Sequence, residues 1–123
     1  MGHLNFEEAR EALEQLYESS NEERRFILRL YVLYAFNDKY IRSGHQHSCK
    51  SDDYKYFVEN CKEMLKMPQT IPTLRAELYR EMGEFEQCIE YLDSLEPVGE
   101  HENKVRAMIR EKALNRNLFA FRL

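Results

Sequence analysis

The residues best able to do chemistry lie in one short run, His45-Gln46-His47-Ser48-Cys49. Imidazole nitrogen and thiolate sulfur are good zinc donors. Their i, i+2, i+4 spacing suits an extended loop and not one face of a helix. The spacing fits no standard zinc pattern, and a fourth ligand would have to come from elsewhere, from Cys61 or His101. The competing reading is a solvated polar loop. It is preferred here, so the chain is expected to hold no metal and no cofactor. A nucleophilic cysteine is the other chemical option. Cys61 and Cys88 both fall on apolar helical stripes, where a thiol packs as a small hydrophobe. No Ser-His-Asp arrangement, glycine-rich phosphate loop or paired-carboxylate motif stands out beside them. No catalytic residue is expected, and the chain is not read as an enzyme.

The elements that would position these residues are helical. Phe6, Ala9, Leu13, Leu16 and Tyr17 recur at helical spacing and predict an amphipathic helix from about Asn5 to Ser19, with an acidic opposite face. Asn5 with Glu8 forms a capping-box pattern, and Ser20 with Glu23 repeats it to open a second helix. That second helix, running to Ile41 or Arg42, is apolar nearly all round from Phe26 to Phe36. Such a helix is expected at the centre, surrounded by other helices. Asn37 and Asp38 mark its emergence into solvent or a bend, the alternative being a buried polar pair that fixes a loop or a ligand. Positions 43–51 read as a loop. Ser51 then caps a third helix with the stripe Tyr54, Phe57, Val58, Cys61 and Leu65, ending before Pro68.

Pro72 to Pro97 is the best-specified stretch. Leu74, Leu78 and Met82 mark one helix, with Pro72 in its first turn. Gly83 supplies the left-handed turn that ends it. Phe85, Cys88, Ile89, Leu92 and Leu95 stripe the next helix, and Pro97 stops it. Two helices so closely linked pack as an antiparallel hairpin. A last helix runs from about Glu100 to Asn117 in a basic tail. It has two apolar faces, one of Val105, Met108, Ile109 and Ala113 and the other of Ala107, Leu114, Leu118 and Phe121. The first docks on the hairpin, and the second has no obvious internal partner. The expectation is an all-α fold of about six helices, one domain over 1–123, with a hairpin at 70–97 and a capping helix at 100–117.

Composition narrows the function classes. Hydrophobic residues make up 43% and charged residues 33%, as in an ordinary soluble helical protein. The net charge of −4 disfavours nonspecific nucleic-acid binding. The aromatic residues, 8 Tyr and 7 Phe, sit mostly at core spacing and so are not read as base-stacking platforms. Three cysteines, two of them on helix stripes, point to a reducing compartment. No apolar run approaches the ~20 residues of a membrane span, and no apolar leader opens the chain. The reading is cytoplasmic and bacterial in style.

The hairpin resembles a tetratricopeptide repeat (TPR), a helix-turn-helix unit of ~34 residues. Ala76 falls at the small position of the first helix, Tyr79 at its aromatic, and Gly83 and Phe85 at the turn. Cys88 falls at the small crossing position, with Leu92 and Leu95 at later apolar sites. Pro72 stands where the family has an early tryptophan, Arg75 where it has a leucine, and the closing proline comes early. Arg29 to Asp38, followed by the hairpin, also loosely resembles an uncharacterised group of small bacterial proteins. There a cysteine-rich, zinc-ribbon-like segment often comes first, and this chain lacks one. The TPR resemblance implies a right-handed α-α superhelix with the last helix as its cap. It also implies a concave groove lined by the first helix of each unit, which places Thr73, Glu77, Arg80 and Glu81 toward a protein or peptide partner. Helical arithmetic leaves these four exposed. The expected function is a protein-interaction or scaffold module. A self-associating protein, dimerising through Ala107, Leu114, Leu118 and Phe121, is the alternative. A metal-binding protein using the 45–49 loop is the third.

Overall fold

The computed structural model of the chain describes residues 4–42 and 52–115, with side chains for all of them except 40–42. Among the described residues the fold is all-α, with six helices and no strand: α1 (Phe6–Leu16), α2 (Glu22–Arg42), α3 (Asp52–Leu65), α4 (Pro72–Glu81), α5 (Phe85–Asp93) and α6 (Glu100–Leu114). The helices form two compact units, 1–69 and 70–123. None is long and apolar enough to cross a membrane.

Local chemistry sets most of the boundaries. The Asn5 side chain accepts from the Glu8 amide at 2.7 Å, and the Asn5 amide donates to Glu8 Oε1 at 3.1 Å, a complete capping box. The start of α2 differs from the expected Ser20 cap. Asn21 Oδ1 takes the Arg24 amide at 2.9 Å, while the Ser20 hydroxyl donates backward to the Leu16 carbonyl at 2.6 Å. An Asn side chain reaches the N3 amide at least as well as Ser does, so the cap moves one residue on. Pro72 occupies the first turn of α4. That helix ends at Gly83, with φ 84°. The Gly83 amide donates to the Arg80 carbonyl and the Glu84 amide to the Tyr79 carbonyl, both at 2.9 Å. These two bonds are a Schellman motif, and the residue between them must be left-handed.

In the first unit α2 packs on both α1 and α3. Phe6, Phe36 and Phe57, one from each helix, are buried. Phe36 stacks on Phe57 at 4.2 Å between ring centroids, and Phe6 meets Phe36 edge-on at 5.6 Å. Such pairs contribute roughly 0.5–1.5 kcal/mol beyond area burial. Lys39 of α2 ties the ends of both neighbours, donating to Glu7 at 2.8 Å and Asp53 at 3.0 Å. In this respect α2 is the central helix of its unit. It is not surrounded: Ile27, Tyr31 and Tyr34 stand exposed along one face. Two neighbours cover only part of a helix's circumference, and the apolar residues beyond their reach stay outside. Leu16 of α1 is exposed for the same reason.

In the second unit α4, α5 and α6 pack on one another pairwise. Ala76, Phe85, Cys88, Leu92, Val105, Ile109 and Ala113 form one buried cluster. Tyr79 and Tyr91 meet edge-on at 5.9 Å across the hairpin. Arg110 of α6 forks onto Asp93 of α5 at 2.9 and 3.3 Å. The docking face of α6 is therefore Val105, Ile109 and Ala113. Met108, expected on that face, is exposed together with Ala107 and Leu114. The i, i+4, i+8 row points inward, and Met108 falls on its outer shoulder.

Candidate functional site

The four residues expected to line an exposed partner groove are buried. Thr73, Glu77, Arg80 and Glu81 are 4%, 3%, 0% and 2% exposed. Each has a partner in the fold. Arg80 Nε and Nη2 fork onto the Glu77 carboxylate at 2.6 and 2.8 Å. The Thr73 hydroxyl donates to Glu102 at 2.6 Å and accepts from Arg106 Nε at 3.1 Å, tying the start of α4 to α6. The physical reason for the miss is plain. A polar side chain reads as outward until a partner is known, and an i, i+3 Glu–Arg pair looks the same in sequence on a surface or in a core. Thr73 bridges α4 and α6, Glu77 and Arg80 pair within α4, and none of the four is exposed.

The alternative face of α6 is exposed at Ala107 and Leu114. Leu118 and Phe121 lie outside the described residues. The 45–49 loop, with His45, His47 and Cys49, also lies outside them. Among the described residues no group of three or more His, Cys, Asp or Glu could hold a metal ion. Cys61 and Cys88 are buried free thiols. Burial pushes the Cys88 thiol up to about 11, and the Glu77 carboxylate adds to the shift. A thiol so raised is a poor nucleophile at neutral pH.

Sequence reasoning missed the feature that the first unit builds most clearly. A groove of about 420 Å³ opens between α1 and α3, with α2 beneath it. Glu14 of α1, with Tyr17 and Glu18 just past its end, forms one wall. Tyr56, Glu59, Asn60 and Glu63 of α3 form the other, and Arg29 of α2 reaches up between them. Asn60 is buried and fixes Arg29: Arg29 Nη1 donates to Asn60 Oδ1 at 3.1 Å. Arg25 and Arg29 stand over the Tyr17 ring at 4.2 and 5.2 Å, and Arg10 over the Tyr56 ring at 4.3 Å. Burial and the Glu14 charge push the Tyr56 hydroxyl above its ordinary range. The sequence signal was faint but present. Glu59–Glu63 is a like-charge pair at i, i+4 of α3 beside Tyr56, and it carries a small helix penalty.

The arrangement can hold cations against carboxylates and aromatic rings. It aligns no nucleophile with a base. No protein-family model, no curated protein and no solved structure matches the chain.

Proposed function

We propose that the protein is an interaction or scaffold module without catalytic activity of its own, built on a TPR-like, right-handed helical arrangement and working in the cytoplasm. One observation carries the interaction reading. Ile27, Tyr31 and Tyr34 present three large apolar side chains at i, i+4 and i+7 of α2, 45%, 44% and 57% exposed. Aromatic side chains in such a row are the usual anchors of a protein interface, because they bury large area at low conformational-entropy cost. The hairpin supports the TPR-like reading through its Schellman turn at Gly83 and the close approach that Ala76 and Cys88 allow. The partner surface is moved from Thr73, Glu77, Arg80 and Glu81 to the α2 face, since those four are buried.

The test is affinity capture with wild type and a Tyr31→Glu/Tyr34→Glu variant, each checked for unchanged helical circular dichroism. The wild type is expected to retain a reproducible partner that the variant loses. Identical partners for both would overturn the α2 assignment.

A second reading has its own observation. Ala107, Met108 and Leu114 leave an apolar patch on α6. In this reading a second copy covers it and the protein is a dimer. Sedimentation velocity of wild type and Met108→Glu/Leu114→Glu separates the two readings. A wild-type monomer at high concentration removes the dimer.

A further inference from the structure

We infer that the exposed face of α2 pairs with the same face of a second copy of this chain, the two helices running antiparallel about a two-fold axis beside Tyr31. The inference rests on the reading of Ile27, Tyr31 and Tyr34 as a partner surface, and it names the partner.

The row on that face is longer than its three apolar residues. Arg24, Ile27, Tyr31, Tyr34 and Asp38 follow one another at alternating steps of three and four. That alternation is the a/d spacing by which one helix meets another along a seam. The row lies on the side of α2 that α1 and α3 leave open. Arg24 and Asp38 fall roughly 20° to either side of Tyr31 around the helix, so both ends of the row share its face.

The charges point to what covers it. Arg24 lies seven residues before Tyr31 and Asp38 seven after, about 10 Å to each side along the helix axis. Arg24 is exposed and forms no ion pair among the described residues, and Asp38 is half-buried at the other end. A second copy laid antiparallel brings each Arg24 beside the partner's Asp38, twice over, with the apolar residues between them. A parallel copy sets Arg24 on Arg24 and Asp38 on Asp38, and like charges so placed repel. Glu23 and Lys39 fall roughly 80° to either side of Tyr31, on opposite flanks that an antiparallel two-fold pair does not bring together. Lys39 is in any case bonded to Glu7 and Asp53.

A row that is its own complement when turned end for end is what an isologous contact requires, since one patch serves both copies. A different protein would need no such symmetry. The axis brings the two Tyr31 rings together, where they gain an aromatic contact while their hydroxyls stay at the wet edge. Ile27, Tyr31 and Tyr34, at about half exposure, offer less than the ~800 Å² per partner of a standard interface. The pair therefore forms reversibly, at high protein concentration.

The experiment is sedimentation velocity of the full chain over a concentration series, with helical circular dichroism checked for each variant. Wild type is expected to pass from monomer to dimer as concentration rises. Arg24→Asp and Asp38→Arg, each alone, set like charges at both ends of the seam and are expected to associate at least about tenfold more weakly. An equimolar mixture of the two restores opposite charges at both ends and is expected to associate like wild type. Loss in each single variant with recovery in the mixture is the signature of an antiparallel pair, and recovery also shows that the single variants are folded. A wild type that stays monomeric at high micromolar concentration, or a dimer that neither charge variant weakens, overturns the pairing. If it is overturned while Tyr31→Glu/Tyr34→Glu still loses a captured partner, α2 faces a different protein and the partner-surface reading stands. If capture is unchanged as well, that reading fails with it. A dimer lost only in Met108→Glu/Leu114→Glu places the contact on α6 and likewise overturns the α2 pairing.

Discussion

Arg29 and Asn60 hold each other from both ends. Arg29 Nη1 donates to Asn60 Oδ1 at 3.1 Å, and Asn60 Nδ2 donates back to the Arg29 backbone carbonyl at 3.1 Å. The reciprocal pair orients the Asn60 amide, because only one assignment of oxygen and nitrogen satisfies both bonds. It also locks α3 in register against α2 beneath the groove. Asn60→Leu removes both bonds and leaves the guanidinium in a half-buried place without its acceptor. A destabilisation of about 1–3 kcal/mol is expected by urea titration. Asn60→Ser, which retains an oxygen but loses reach, should fall between.

Arg80 and Glu77 are a different kind of pair. Both are buried and the fork is short, at 2.6 and 2.8 Å. Removing one partner strands the other charge away from water. Arg80→Met is expected to cost about 3–5 kcal/mol. The double change Glu77→Leu/Arg80→Met removes both charges and should recover a substantial part of that loss. Denaturant midpoints for the single and double variants check this. A double variant as unstable as the sum of the singles would mean that the two residues act independently.

Gly83 holds φ 84° at the end of α4, where its amide and that of Glu84 close the last turn. Gly83→Ala places a Cβ in the left-handed region at a cost of roughly 1–2 kcal/mol. Gly83→Asn should cost less, because its short polar side chain tolerates that region. Thermal melts of the two variants side by side give the comparison.

The Glu7–Lys39–Asp53 bridge should give stability a defined pH dependence. The hydrogen bond from Lys39 holds the Glu7 carboxyl below its ordinary range. That contribution is complete above the unfolded value of ~4.3 and is lost as pH falls through the lower folded value. The Glu7 and Asp53 carboxylates hold the Lys39 ammonium above its ordinary range. That contribution is complete below ~10.4 and is lost as pH rises through the higher folded value. Lys39 is 39% exposed and Glu7 67%, so screening limits the effect to about 1 kcal/mol or less. Lys39→Met should lower Tm slightly at pH 7, and the gap from wild type should close in acid below pH ~4. A gap independent of pH would assign it to the lost contact of the Lys39 ammonium over the Phe6 ring, 5.4 Å from its centroid.

The helices, their caps and the glycine turn were legible because they depend on neighbours within about four residues. Asn5 and Glu8 sit where their side chains reach each other's amides, Pro72 has no amide to lose, and Gly83 alone in its stretch lacks a Cβ. The groove was far less legible. Glu14 and Glu63 are 49 positions apart in the chain, and nothing in either helix states that they share a cleft. The cap at the start of α2 was displaced by one residue because Ser20 and Asn21 are both good caps, and the Ser20 hydroxyl turns back to the Leu16 carbonyl while the Asn21 amide oxygen takes the Arg24 amide.

The sequence by itself determined an all-α chain and the order of its six described helices. It did so because helix formation, capping and periodicity are local. Tertiary structure alone decided which side chains cross the ordinary polarity rule. It drew Thr73, Glu77, Arg80 and Glu81 inside, and it left Ile27, Tyr31, Tyr34 and Met108 outside. Burial depends on where a second and third helix come to lie, and the spacing of residues along one helix carries no record of that.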